Sequence, residues 1–211
     1  MSRLTSFYKR EVTGLTWEEI RCTLLGMVYT QKISREMLAE GAYELLEREG
    51  IEALSMRRLA QIVNVRASSL YHHFPEKSAL LAAVAEKGLF HLAAALERAS
   101  NLALGDPRRQ IYTMGMTYRE WALQHPQVYR LLFADTPLIE NTSPASLAAF
   151  APMLAATGTL VGASQAPAAT QAVWAFVHGY VMLELSGHMQ QCLPIEGFQL
   201  GLSCFIQELG R

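Results

Sequence analysis

An all-α fold follows from three features of the sequence. Apolar residues recur at intervals of three and four along most of the chain. No Asn-Gly or Asp-Gly hairpin signal and no alternating run of β-branched residues interrupts them. Proline, glycine and Ser/Asp caps punctuate the periodic segments where helices should start and stop. With 211 residues and 51% hydrophobic content, the chain is long and apolar enough to bury a core, and disorder is excluded as its general state. The formal net charge of −1 means that affinity for a polyanion must come from a local patch. Cys22, Cys192 and Cys204 are odd in number and lack Cys-x-x-Cys spacing, which argues against a disulfide framework or zinc knuckle and fits a reducing cytoplasm.

Residues 1–33 read as a mildly basic extension or arm without the apolar core of a signal peptide. Residues 1–26 are expected to lie outside the fold, with Met27 an ordinary start. The alternative is a docked helix over Thr16–Leu25, where Thr16 and Glu19 make a capping box. Ser34 then caps a helix to about Glu49. Leu38, Ala42, Leu45 and Leu46 line one face of it and Glu36, Glu40, Glu44 and Glu47 the solvent face, with Gly50 as its stop. Ser55 opens a second helix to about Val63, whose apolar side is Leu59, Ile62 and Val63. Asn64 suits a left-handed turn position. A short third helix spans about 66–73. A fourth, with Pro75 near its first position, runs to about Ala99.

Asp106-Pro107 opens a fifth helix carrying Ile111, Met114, Tyr118, Trp121 and Ala122 at helical spacing, and His125-Pro126 ends it. Val128–Phe133 is a short apolar helix, 136–144 a loop, and 147–156 a short helix containing Pro152. The Ala-, Thr-, Gly- and Ser-rich stretch at 155–170 is expected to be a loop. Helices over about 168–190 and 195–209 close the chain. The longest apolar-looking stretch, Ala172–Leu185, contains His178 and Glu184 and is shorter than a bilayer span, so no membrane partner is expected.

Two short helices joined by a tight turn at 55–73 form a unit that can enter a DNA groove. Arg57, Arg58, Arg66 and Lys77 stand against Glu76 alone between 55 and 77, a balance of +3. Between 36 and 52, six glutamates stand against Arg48, a balance of −5. Positive charge is thus concentrated on the second and third helices, where a phosphate backbone needs it. Ala67, Ser68 and Ser69 put small and hydroxylic side chains at the start of the third helix, which allows close approach to base edges. Tyr71, His72, His73 and Lys77 suit phosphate contacts. On these grounds alone, an ordinary helical hairpin with solvated charges is as good a reading.

Over 34–82 the chain resembles the N-terminal domain of the TetR family of bacterial regulators. The matching residues are Leu45-Leu46, Gly50, Leu54 to Ala60, Val65, Leu70-Tyr71-His72-His73-Phe74 and Lys77 to Leu81. The resemblance implies a three-helix DNA-binding domain at 34–80 in which Ser55, Met56 and Arg57 approach the backbone. It places Ala67, Ser68 and Ser69 toward the groove, and Tyr71, His73 and Lys77 at phosphates. It departs from the family at Asn64, where glycine is common, and at Arg66, where Ser or Thr usually caps the reading helix and where a phosphate contact is an alternative use.

The family also implies a helical ligand-binding and dimerisation domain at 81–211. Trp174-Ala175-Phe176-Val177-His178-Gly179 resembles the Trp-x-x-x-His-Gly signature of one subgroup. Tyr112, Met116, Trp121, Tyr129, Phe133, Trp174, His178 and Met182 are the candidate pocket residues, with plain core packing the competing explanation for each. The expected partners are a double-stranded DNA operator, a small apolar effector and a second copy joined through the last two helices. His72-His73 are adjacent and His178 and His188 are ten apart, neither a metal-binding pair, so no metal is expected. Glu184 and His188 are four apart, but no nucleophile elbow, zinc-protease motif, P-loop or dinucleotide fingerprint occurs. The chain is therefore expected to be a ligand-responsive repressor in the cytoplasm, neither an enzyme nor a cofactor protein. The alternatives are an activator and a helical ligand-binding protein without a DNA role.

Overall fold

The computed structural model describes residues 33–134, 138–189 and 194–210. Among them are nine helices and no strand: α1 Arg35–Glu49, α2 Met56–Ile62, α3 Ala67–Tyr71, α4 Lys77–Leu102, α5 Pro107–Gln124, α6 Pro126–Leu132, α7 Pro144–Val161, α8 Ala166–Leu185 and α9 Pro194–Glu208. The expectations for residues 1–26 and for Thr16–Leu25 lie outside the described residues.

The first three helices pack as the apolar spacing requires. Leu38, Ala42, Leu45 and Leu46 of α1 are buried with Leu54, Met56, Leu59, Leu70, Phe74 and Leu80. Gly50 takes φ 81° and its N–H returns to the Leu46 carbonyl at 2.8 Å, the C-terminal stop that a residue without Cβ makes easily. Ile62, expected on the apolar side of α2, is 39% exposed, because α2 ends there and only its Leu59 side faces the core. The third helix is shorter than expected, and α4 begins after the N-cap Glu76, so Pro75 precedes the cap instead of occupying the first turn.

α4 is the spine. It is continuous through residue 80, so the two expected domains share one helix, and it packs against α1, α5, α6 and α7. Gly88 makes its crossing with α6 possible: a Cβ there would lie 2.4 Å from Val128 Cγ1. α4 and α7, not Ala172–Leu185, hold the longest apolar stretches, with 18-residue windows of mean hydropathy 1.5 and 1.4. By length and composition alone either could cross a bilayer. In α4 the residues responsible, such as Leu80, Val84, Leu92 and Leu96, are spent on the protein core.

The stretch expected as a loop at 155–170 is mostly helix. α7 runs on to Val161, a four-residue turn with Gly162 at φ 83° follows, and α8 starts at Ala166. Alanine carries the helix, and its threonines find internal partners. Thr157 Oγ1 donates to the Met153 carbonyl at 2.9 Å and meets Thr170 Oγ1 at 2.7 Å, both hydroxyls being buried.

The last helices are fastened to α5 by arginines. Arg119 grips Glu184 with two hydrogen bonds of 2.7 and 2.6 Å, so Glu184 pairs across helices and not with His188. Arg108 donates to the carbonyls of Ile206 and Leu209 at the end of α9, where the helix leaves acceptors unpaired. Phe198 and Leu202, on the last of the two helices expected to join a second copy, are fully buried in their own chain. A Cβ on Gly115 would lie 2.6 Å from Leu202 Cδ2. Leu202→Ala is expected to destabilise the chain by about 2–5 kcal/mol, the usual cost of emptying a buried leucine site. Urea unfolding measures it, and a loss below about 1 kcal/mol would contradict this packing.

Candidate nucleic-acid interface

Ser55 has extended backbone angles (φ −138°, ψ 155°), and its Oγ accepts the Arg58 N–H at 3.1 Å, as an N-cap should. Asn64 holds φ 53° between α2 and α3 and is the one non-glycine residue with positive φ among those described. That left-handed step folds α3 back so that Val65 N–H reaches the Ala60 carbonyl at 2.9 Å. Asparagine thus does what the family's usual glycine does, at some conformational cost. Arg66 is the N-cap of α3 without a side-chain cap bond, so its guanidinium is left exposed.

Most of the expected residues are at least partly open to solvent. Ser55, Arg57, Arg66, Ser68, Tyr71, His72 and Lys77 are exposed, and Ala67, Ser69 and His73 half-buried. Tyr71, at 53% exposure, is an aromatic with no role in the core. Met56 differs: it is only 7% exposed and belongs to the core. Lys77 Nζ reaches back to the Ile51 carbonyl at 3.4 Å, a weak tether that phosphate can replace.

Two features of this surface were not read from sequence. Arg58 is not a free cation: its guanidinium donates to both oxygens of Glu49 at 3.2 and 3.3 Å, beside Arg48 on the same carboxylate. The Arg58 and Arg48 hydrogen bonds hold the Glu49 carboxyl below its ordinary range, so it stays ionised. Arg35 donates to the His73 carbonyl at 2.8 Å with its guanidinium 4.4 Å over the Phe74 ring, which locks the end of the reading segment onto α1. Nothing in local spacing signals that contact, since 38 residues separate its partners.

The candidate pocket residues divide. Tyr129, Phe133, Trp174 and His178 form one aromatic cluster with Tyr118. Tyr129 and His178 meet through a 2.7 Å hydrogen bond between the hydroxyl and Nδ1, and the Tyr118 hydroxyl lies 3.2 Å from that of Tyr129. Burial raises both phenols, Tyr118 to about 12, so they stay protonated, while burial lowers His178. A neutral imidazole accepting at Nδ1 fits this chain of hydroxyls. Trp121 stands apart, its ring 5.0 Å from that of His125. Tyr112 and Met116 are half-buried on α5, and Met182 is exposed on α8. Among the described residues no group of three His, Cys, Asp or Glu side chains is placed to hold a metal.

The local match and the three-helix geometry meet at residues 38–84, which fit the model of the bacterial regulatory proteins of the tetR family. Residues 111–199 match a tetracyclin repressor-like C-terminal domain. An HTH-type transcriptional regulator of Mycobacterium tuberculosis is 31% identical over 75% of this chain and 73% of its own length. The chain belongs to the TetR family. This TetR-family protein is a DNA-binding transcriptional regulator. It is also 47% identical to the class C tetracycline repressor of Escherichia coli over 26% of this chain and 25% of that one. A protein of unknown function from Rhodococcus sp. RHA1 superposes with TM-score 0.74 at 25% identity, covering 86% of this chain and 98% of that one. TetR of Acinetobacter baumannii shares the fold at TM-score 0.66 and 22% identity, over 83% and 96% of the two chains.

The His178 environment sets a pH dependence for this TetR-family chain. Unfolded histidine takes up a proton near pH 6.5, whereas folded His178 resists it. The unfolded state therefore binds more protons as pH falls below about 6.5, and stability drops in that direction. His91, also lowered by burial, acts in the same sense. His178→Gln should lose less stability than wild type between pH 7.5 and 5.5 in parallel denaturation curves. Equal losses would show that His178 does not contribute.

Proposed function

We propose that this regulator reads its operator through α2 and α3, with Ala67, Ser68 and Ser69 at base edges and Arg57, Arg66, Tyr71, His73 and Lys77 at phosphates. The exposed, cation-bearing outer face of these two helices carries the reading. Acidic α1 lies behind it, its glutamates partly neutralised by Lys87 and Arg58. Ser55 supports the backbone of the first turn, and His72 lies at the edge of the same face. Lys77→Ala should weaken binding to all DNA sequences and reduce the slope of log K against log salt by about one. Ser69→Ala should mainly change base preference. Fluorescence anisotropy on promoter-derived and random duplexes at several salt concentrations checks both. Equal affinity of wild type for the two duplexes would end this reading.

The same reading makes the protein a cytoplasmic homodimer on a two-fold operator, acting as a repressor that a small, largely apolar effector releases; a repressor is among its relatives. α8 offers a face for the second copy. Trp174, Met182 and Leu183 are 39%, 37% and 45% exposed, and Leu200 of α9 is 67% exposed. Gly179 lies open between them, with nothing within 4 Å of where a Cβ would be, so another helix can approach closely there. Because Leu202 is internal, the interface variant is Leu183→Glu. It should sediment as a folded monomer with weakened operator binding, and an unchanged dimer would move the interface elsewhere.

A further inference from the structure

We propose that the groove between α4 and α5 is a binding site for a flat aromatic molecule carrying one anionic group. The proposal names the site and ligand class for the ligand-responsive reading and rests on it for its regulatory meaning. The groove is open along its outer side and offers about 450 Å³, within the range of small-molecule sites. Its walls are periodic: His91, Ala94, Ala95 and Arg98 on α4, and Thr117, Glu120, Trp121 and Gln124 on α5. Each set repeats at three and four residues, so each is one helix face turned to the same space.

The direction of the groove follows from the helix pair. Gln110 Nε2 donates to the Ser100 carbonyl at 3.3 Å and Thr113 Oγ1 to the Ala99 carbonyl at 3.1 Å, which fixes an antiparallel hairpin. Arg98 and Thr117 therefore lie at the loop end, and His91, Gln124 and His125 at the other. The span from His91 to Arg98 is about 10 Å at 1.5 Å per residue, the length of a two-ring aromatic. Ala94 and Ala95 leave the α4 wall low opposite Trp121, which suits a flat ring. Arg98 is exposed and has no ion-pair partner among the described residues, so its guanidinium can take a carboxylate or sulfonate. Glu120, held by Gln124 Nε2 at 3.2 Å, sets the polarity. It repels an anion from the middle of the groove and accepts from an amine or hydroxyl there.

The inner end touches the DNA reader. His125 Nδ1 lies 3.2 Å from the Tyr43 hydroxyl of α1, and the His91 ring is edge-on to Tyr43 at 5.1 Å. A ring inserted beside Trp121 presses on both histidines and through them on α1. By contrast, the region between 111–133 and 168–190 expected from sequence is occupied by the rings of Tyr118, Tyr129, Phe133, Trp174 and His178 in mutual contact.

The test uses 8-anilinonaphthalene-1-sulfonate, a two-part aromatic with one sulfonate and one amine, titrated into the full-length protein. Dye fluorescence reports binding, and operator anisotropy is read in the same samples. Arg98→Ala should weaken dye binding about tenfold or more, as loss of a charge-assisted contact does. Ala94→Phe should fill the slot and abolish it, with circular dichroism confirming the fold of each. Leu147→Ser, on α7 and outside the groove lining, should bind as wild type. Absence of dye binding by wild type, or wild-type binding by both groove variants, overturns the site. Binding that depends on Arg98 and Ala94 supports it whatever the operator does. Operator affinity unchanged by saturating dye counts against the ligand-responsive reading alone.

Discussion

The arrangement of this molecule depends on one junction, where α1 of the DNA reader meets α4 and α6. Glu47 of α1 accepts the Val128 N–H at 2.9 Å, satisfying a backbone donor in the first turn of α6 that no intrahelical carbonyl can reach. Beside it, the Tyr43 hydroxyl lies 3.2 Å from His125 Nδ1 at the start of the same helix. Burial, then the nearby Glu47 and Glu40, push the Tyr43 phenol up to about 12, which keeps it protonated. Gly88 lets α4 lie close against Val128 at this junction. The polar contacts supply direction where apolar packing alone would allow sliding. The orientation of the reader is therefore held by two carboxylate- and phenol-mediated bonds and one missing Cβ.

This placement gives the acidic helix a second meaning. Read as a sequence, the glutamates of α1 form a solvent face that offsets the basic reader. In the fold they are distributed among tasks: Glu40 pairs with Lys87 of α4, Glu47 anchors α6, and Glu49 holds Arg58 and Arg48. Exposed pairs contribute little to stability. Their effect is geometric, since each points a cation or an N–H to a fixed place. Among the described residues, the cations of the proposed reading face that lack a carboxylate partner are Arg57 and Arg66, together with the loosely tethered Lys77.

What could be read from sequence was whatever is set by local periodicity and caps. The core stripe of α1, the Ser55 cap, the left-handed Asn64, the uncapped Arg66 and the break at His125-Pro126 all depend on residues within a turn or two of each other. Composition misled at 155–170, because Gly, Ser and Thr favour loops only when their polar groups lack better partners, and Thr157 and Thr170 bond each other. The buried fate of Met56 and Leu202 was hidden for another reason. Helical spacing defines a face but not which neighbour covers it, and Leu202 faces Gly115 in its own chain, not a second copy. Arg35 on Phe74, Arg119 on Glu184 and Tyr43 on His125 join residues distant in sequence, so no window could show them.

The two aromatic groups of the C-terminal half illustrate how burial separates structural from responsive polarity. In the Tyr118–Tyr129–His178 chain each hydroxyl has a partner within 3.2 Å, and both tyrosines are buried. Breaking it leaves unpaired polar groups in a low-dielectric interior, so the chain resists rearrangement. Trp121 is buried and His125 half-buried, and beside them His91 and Gln124 are exposed and can exchange water for another partner at small cost. The rings sit one turn apart on the helix that leads into α6, and α6 holds α1. The exposed polar edge of α4 and α5 is thus the one in contact with Tyr43, through His91 and His125.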